Sequence, residues 1–74
     1  MVGTVSNVIS AKGYGFISGD NGQEYFFHKE ETISNWYEIV ADFAISGAGI
    51  IKVEFIPYKA PKGPRAKSVT VVEE

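Results

Sequence analysis

From residue 50 to 56 the chain reads IIKVEFI, with Lys52 and Glu54 on one side of an extended backbone and Ile51, Val53 and Phe55 on the other. A period of two is the mark of a strand with one buried face. Residues 2–9, rich in Val, Ile and Thr, predict another strand, and 14–18 and 24–28 predict two more. The latter pair is joined by GDNG, whose Asn21-Gly22 step accepts the positive φ angles of a tight hairpin. Residues 65–72, ending on the β-branched run SVTVV, supply a fifth. Five short strands predict an all-β domain, a small barrel or sandwich.

The interval 29–49 breaks this rhythm. Ile33, Trp36, Tyr37 and Val40 fall at i, i+3, i+4 and i+7, a helical stripe. Asn35 with Glu38 has the form of a capping box, starting a helix after Ile33. A short helix or 3₁₀ turn between strands three and four is predicted, with Trp36 as a core or lid residue. SGAG, residues 46–49, reads as the turn into the fourth strand.

The hairpin can be sorted by parity, because alternate residues of a strand share a face. The even set is Lys12, Tyr14, Phe16, Ser18, Glu24, Phe26, His28 and Glu30. The odd set contains Ile17, Tyr25 and Phe27 together with Gly13, Gly15 and Gly19. Burying the even face would carry four ionisable side chains into a medium where unpaired charge is costly. The odd face is therefore predicted to form the core. Tyr14, Phe16, Phe26 and His28 then stand outside, beside Lys12.

Composition narrows the use of such a face. With 74 residues, the chain is expected to form one domain, residues 1–74. It has no Cys and one His, so neither a disulfide framework nor a zinc centre is expected. No secretory leader and no membrane-spanning stretch is read in it, and the expectation is a soluble, cytoplasmic protein. The net charge of −2 argues against a polyanion partner, but its distribution does not. The stretch 57–67, PYKAPKGPRAK, holds Lys59, Lys62, Arg65 and Lys67 without an acid. It is read as a basic loop.

Exposed rings beside cations suit unpaired nucleobases, which stack on the rings while the cations meet phosphate. A protein-interaction or dimerising patch is the alternative use of the same rings. Enzymatic chemistry is not expected, since His28 has no Cys beside it in a nucleophile pair and pairing it with a Ser would be arbitrary. GYGFISG is loosely like a phosphate-binding loop, but such a loop opens a helix and here a hairpin follows. No cofactor, metal or small-molecule substrate is expected, and the protein is expected to be a monomer, with weak dimerisation as the alternative.

KGYGFI, residues 12–17, matches the ribonucleoprotein consensus, and YFFH, residues 25–28, resembles its companion motif. The order of the two, and the lack of two long helices, excludes an RNA-recognition-motif fold. With GTV at 3–5 and KGPRAKSVT at 62–70, the chain resembles bacterial cold-shock proteins from end to end. That resemblance implies a five-stranded antiparallel OB-fold barrel binding single-stranded RNA and DNA, used as an RNA chaperone or regulator of gene expression. It implies nucleic-acid contacts at Lys12, Tyr14, Phe16, Phe26 and His28. Lys29, Lys62 and Arg65 join the expected set as cations. Two departures stand out. The family usually reads Lys-Trp-Phe-Asn on the first strand, where this chain has Ser6-Asn7-Val8-Ile9, and Lys29 replaces an aromatic residue after the His.

Overall fold

Strands β1 (Val2–Ile9), β2 (Tyr14–Gly19), β3 (Glu24–His28), β4 (Lys52–Ala60) and β5 (Gly63–Val71) close into a barrel in the order β1-β2-β3-β5-β4. They are seen in a computed structural model that describes residues 1–72. Neighbouring strands pair antiparallel except β3 and β5, which meet as a parallel contact at Phe26 and Arg65. A 3₁₀ turn (Lys29–Glu31) and helix α1 (Trp36–Ser46) fill the interval after β3, so both of the predicted alternatives are present.

The odd-numbered face of the β2–β3 hairpin is the core. Ile17 and Phe27 are fully buried and Tyr25 nearly so, whereas Tyr14, Phe16, Phe26 and His28 are only half-buried. Space on the inner face of β2 is tight. A Cβ on Gly15 would come within 2.6 Å of the Asn7 carbonyl oxygen and 2.9 Å of the Phe27 ring. In the loop joining β2 to β3 only Gly22 takes a positive φ, at 83°. Asn21, expected to share that conformation, instead accepts a hydrogen bond on its side-chain oxygen from the Gln23 N–H. A short polar side chain can mimic a turn in this way without entering the left-handed region.

Two bulges re-phase the strands. One lies between Val5 and Asn7, so that Val5 opposes buried Ile17 while Asn7 opposes outward Phe16. The other puts Ser68, at φ 52°, into β5 opposite Phe55 and brings both Ala66 and Val69 inward. An extra residue on one strand shifts its period by one, which is how residues of unlike parity come to share a face.

The helical stripe differs from the one predicted. Ile33 lies before α1 and is 71% exposed, and Tyr37 is 75% exposed. Asn35 caps the helix by accepting from the Tyr37 N–H at 2.9 Å, so the regular spiral begins at Trp36. From there Trp36, Ile39, Val40 and Phe43 form the inward stripe, again at i, i+3, i+4 and i+7. Trp36 is buried in the core with its ring edge-on to Phe27 at 5.8 Å. Gly47, at φ 78°, ends the helix by donating its N–H to the Phe43 carbonyl.

Strands β4 and β5 also differ in extent from the expected 50–56 and 65–72. They run on to Ala60 and back to Gly63, so the stretch read as a basic loop is a β-hairpin with its turn at residues 61–62. Pro57 and Pro64 caused the short reading, because proline cannot donate within a ladder. Here the N-terminal edge pairs with β4 no further than Phe55, which exchanges two backbone hydrogen bonds with Met1, leaving the Pro57 nitrogen no strand on that side to serve.

Gly15→Ala is expected to destabilise the fold by ~1–3 kcal/mol through overpacking against Phe27. Urea denaturation checks this, and a variant as stable as the parent would show that β2 has room on its inner face.

Candidate nucleic-acid interface

Outward residues opposite one another on paired strands form a row around the barrel. Asn7 on β1 opposes Phe16 on β2, Phe16 opposes Phe26 on β3, Phe26 meets Arg65 on β5, and Arg65 opposes Tyr58 on β4. A second, shorter row sets Ile9, Tyr14 and His28 side by side. Cross-strand neighbours of this kind touch. The Tyr14 and Phe26 ring centres are 5.0 Å apart, those of Phe16 and Phe26 5.8 Å, and those of Tyr14 and Phe16 6.1 Å. The three rings are tilted or perpendicular to one another, the arrangements that ring quadrupoles favour.

Two of these rings, Phe16 and Phe26, border a concavity of ≈ 450 Å³, together with His28 and, from the β4–β5 hairpin, Lys62, Pro64 and Arg65. His28 is fixed within it. Its Nδ1 accepts from the Glu30 N–H at 3.2 Å, which leaves the imidazole proton on Nε2 as a donor. Glu24 lies at the same rim.

Of the residues singled out in the sequence, Tyr14, Phe16, Phe26, His28, Lys62 and Arg65 are therefore brought together. Lys12 and Lys29 are not among the residues bordering the concavity. Both are exposed and flank the start of β2 and the end of β3, where the Lys29 N–H donates to the Gly13 carbonyl. The Lys29 stem runs beside Gly13, whose φ of 73° and missing side chain make room for it.

Arg65 is not the free cation that the basic stretch suggested. Its guanidinium carbon sits 4.8 Å from the Phe26 ring centre, and its Nη2 pairs with Glu31 Oε1 at 2.9 Å. Glu31 also accepts from the Tyr58 hydroxyl through Oε2 at 2.8 Å. One carboxylate thus holds both a guanidinium and a phenol. Sequence reading missed Glu31 and Tyr58. Glu31 is separated from its two partners by 27 and 34 residues, beyond any local pattern. Tyr58 had a signal available: continuing the alternation of β4 past Pro57 would have placed it beside Arg65.

The family model described as 'Cold-shock' DNA-binding domain matches residues 1–72. This chain belongs to the cold-shock domain family. It is also similar to the Cold shock-like protein CspA of Vibrio cholerae serotype O1, at 34% identity over 73 residues that cover 97% of this chain and 94% of the relative. The cold-shock domain is a nucleic-acid-binding domain, so a row of exposed rings on a closed barrel has a class of ligand to match it. Asn7 stands beside Phe16 on the neighbouring strand, and its side chain accepts from the Val8 N–H at 2.9 Å. No helix of the described residues is long and apolar enough to cross a membrane.

The Tyr58 phenol is pushed above its ordinary pKa, first by its hydrogen bond to Glu31, then by desolvation and the Glu31 charge, with Arg65 opposing. The sign follows: the bond favours folding below the pKa of an unfolded tyrosine and is lost as pH rises through the elevated folded value. Glu31→Gln is expected to lower the Tyr58 titration point, followed by NMR of its ring. An unmoved titration would show that the Glu31 contact does not persist in solution.

Proposed function

We propose that this protein binds single-stranded RNA and DNA by stacking unpaired bases on Tyr14, Phe16 and Phe26, with His28 hydrogen-bonding to a base or sugar. Lys12, Lys29 and Lys62 draw in the backbone, and Arg65 acts through its flat, Glu31-paired guanidinium on Phe26. The protein acts as one domain in the cytoplasm, as an RNA chaperone or regulator of gene expression that captures bases while they are unpaired. It works without a cofactor and catalyses no reaction.

The observation carrying this reading is the half-buried cluster of three rings whose centres lie within 6.1 Å of one another on the outside of the barrel. An outward aromatic cluster contributes less to a core than an inward one, yet remains costly to leave against water without a partner. Each ring offers a π-face to any base, so the interaction is tolerant of sequence and demands unpaired bases. Family membership supplies the ligand class. Retention on a single-stranded oligonucleotide column, reversed by salt and competed poorly by duplex of the same sequence, tests the reading. Equal competition by duplex would overturn it.

Phe16→Ala and Phe26→Ala are each expected to weaken single-strand binding by ~1–3 kcal/mol while the barrel stays folded, since the rings face outward. Loss of the thermal transition without a specific loss of binding would place them in the core instead.

Asn7→Trp tests the interrupted row. A ring at this position gains a place beside Phe16 at the cost of one exposed local hydrogen bond. Single-strand affinity is expected to rise by ~1 kcal/mol, the low end of a stacking contribution. Quenching of the new indole when oligonucleotide binds is the accompanying readout. Unchanged affinity with an unquenched indole would remove β1 from the binding face.

A further inference from the structure

The row of outward side chains does not end at Arg65. It continues to Tyr58, whose ring centre lies 6.0 Å from the Arg65 guanidinium carbon and 5.5 Å from Lys67 Nζ. Tyr58 also borders a second concavity, of ≈ 220 Å³, with Pro57, Lys59, Pro64 and Gln23. Pro64 is common to both concavities, so the two are separated by a single residue of the β4–β5 hairpin.

Three features of this second hollow suit a flat ligand on a charged chain. It is bordered by Tyr25, Tyr58, Pro57 and Pro64, apolar surface that a base can cover. Its rim carries Lys59, with Lys67 next to the same ring, and both are exposed. Tyr58 is also held in advance, since its hydroxyl is anchored on Glu31, which is itself tied to Arg65. A side chain ordered before binding loses less freedom on association.

We propose that Tyr58 is a second stacking station, with Lys59 and Lys67 as its phosphate partners, for a further unpaired base of the strand whose other bases lie on Phe16 and Phe26. The inference rests on the single-strand reading above and extends its path over the hairpin ridge at Pro64. The two stations are two strands apart around the barrel, about 10 Å at the usual interstrand spacing. A short oligonucleotide fills one station, and a longer one reaches both.

The test compares single-stranded oligothymidylates of about four and about ten nucleotides, within the range of roughly 4–16 that one such barrel covers. For Tyr58→Leu the ratio of long-oligomer to short-oligomer affinity is expected to fall at least about fivefold, the low end of a stacking contribution. Tyr58→Phe keeps the ring but loses the bond to Glu31, and is expected to lower the ratio less than Tyr58→Leu. In the unmodified protein, the Tyr58 ring proton resonances are expected to move with the long oligomer and stay in place with the short one, a readout independent of whether a variant folds. An unchanged ratio in Tyr58→Leu, an equal fall in Tyr58→Phe, or ring resonances indifferent to oligomer length would overturn the proposal. Failure of the single-strand reading is distinct, because the unmodified protein would then bind neither oligomer.

Discussion

Everything on the outer face of this barrel depends on how little room there is inside β2. Gly13, Gly15 and Gly19 face inward around Ile17, and the Phe27 ring lies against the place where a Gly15 side chain would start. Phe27 from the next strand occupies that volume. With the inner face committed, the two-residue period leaves Tyr14 and Phe16 only the outside, and antiparallel register sets Phe26 and His28 beside them. The aromatic surface is thus the complement of a glycine-lined interior.

Charge on that surface is arranged differently from its count. Four cations in residues 57–67 suggest a strong phosphate clamp, yet Arg65 is compensated by Glu31 and sits over the Phe26 ring. A guanidinium held this way works as a plane as much as a charge, since it stacks on rings and carries its donors at the edge. The exposed lysines at 59, 62 and 67 keep the more ordinary role. On the proposed reading, such a face would draw its affinity from stacking and its attraction from a few lysines.

Much of this was readable from local patterns. The parity of the β2–β3 hairpin follows from the costs of burying Lys12, Glu24, His28 and Glu30, and needs no distant contact. The Asn35 cap was readable for the same reason. The inward stripe of α1 was misplaced by one turn because Ile33 fits the period while lying before the cap. The end of β4 was shortened at Pro57, which the open side of that strand accommodates, and the start of β5 at Pro64. The bonds from Glu31 to Arg65 and Tyr58 left no trace in sequence, since barrel closure alone brings Glu31 to the β4–β5 hairpin.

That closure is thinnest where the ligand row crosses it. Between β3 and β5 the strand register consists of Phe26 against Arg65, supplemented by an isolated bridge from Thr32 to Val69, whereas the other seams are longer ladders. Parting this seam would draw Arg65 off Phe26 and separate Glu31, on the turn after β3, from both Arg65 and Tyr58 on the β4–β5 hairpin. The weakest seam of the barrel and the proposed binding face are thus one structure, and a strand of nucleic acid bound as proposed across Phe26 and Arg65 would hold that seam shut. By mass action, occupancy and closure rise together.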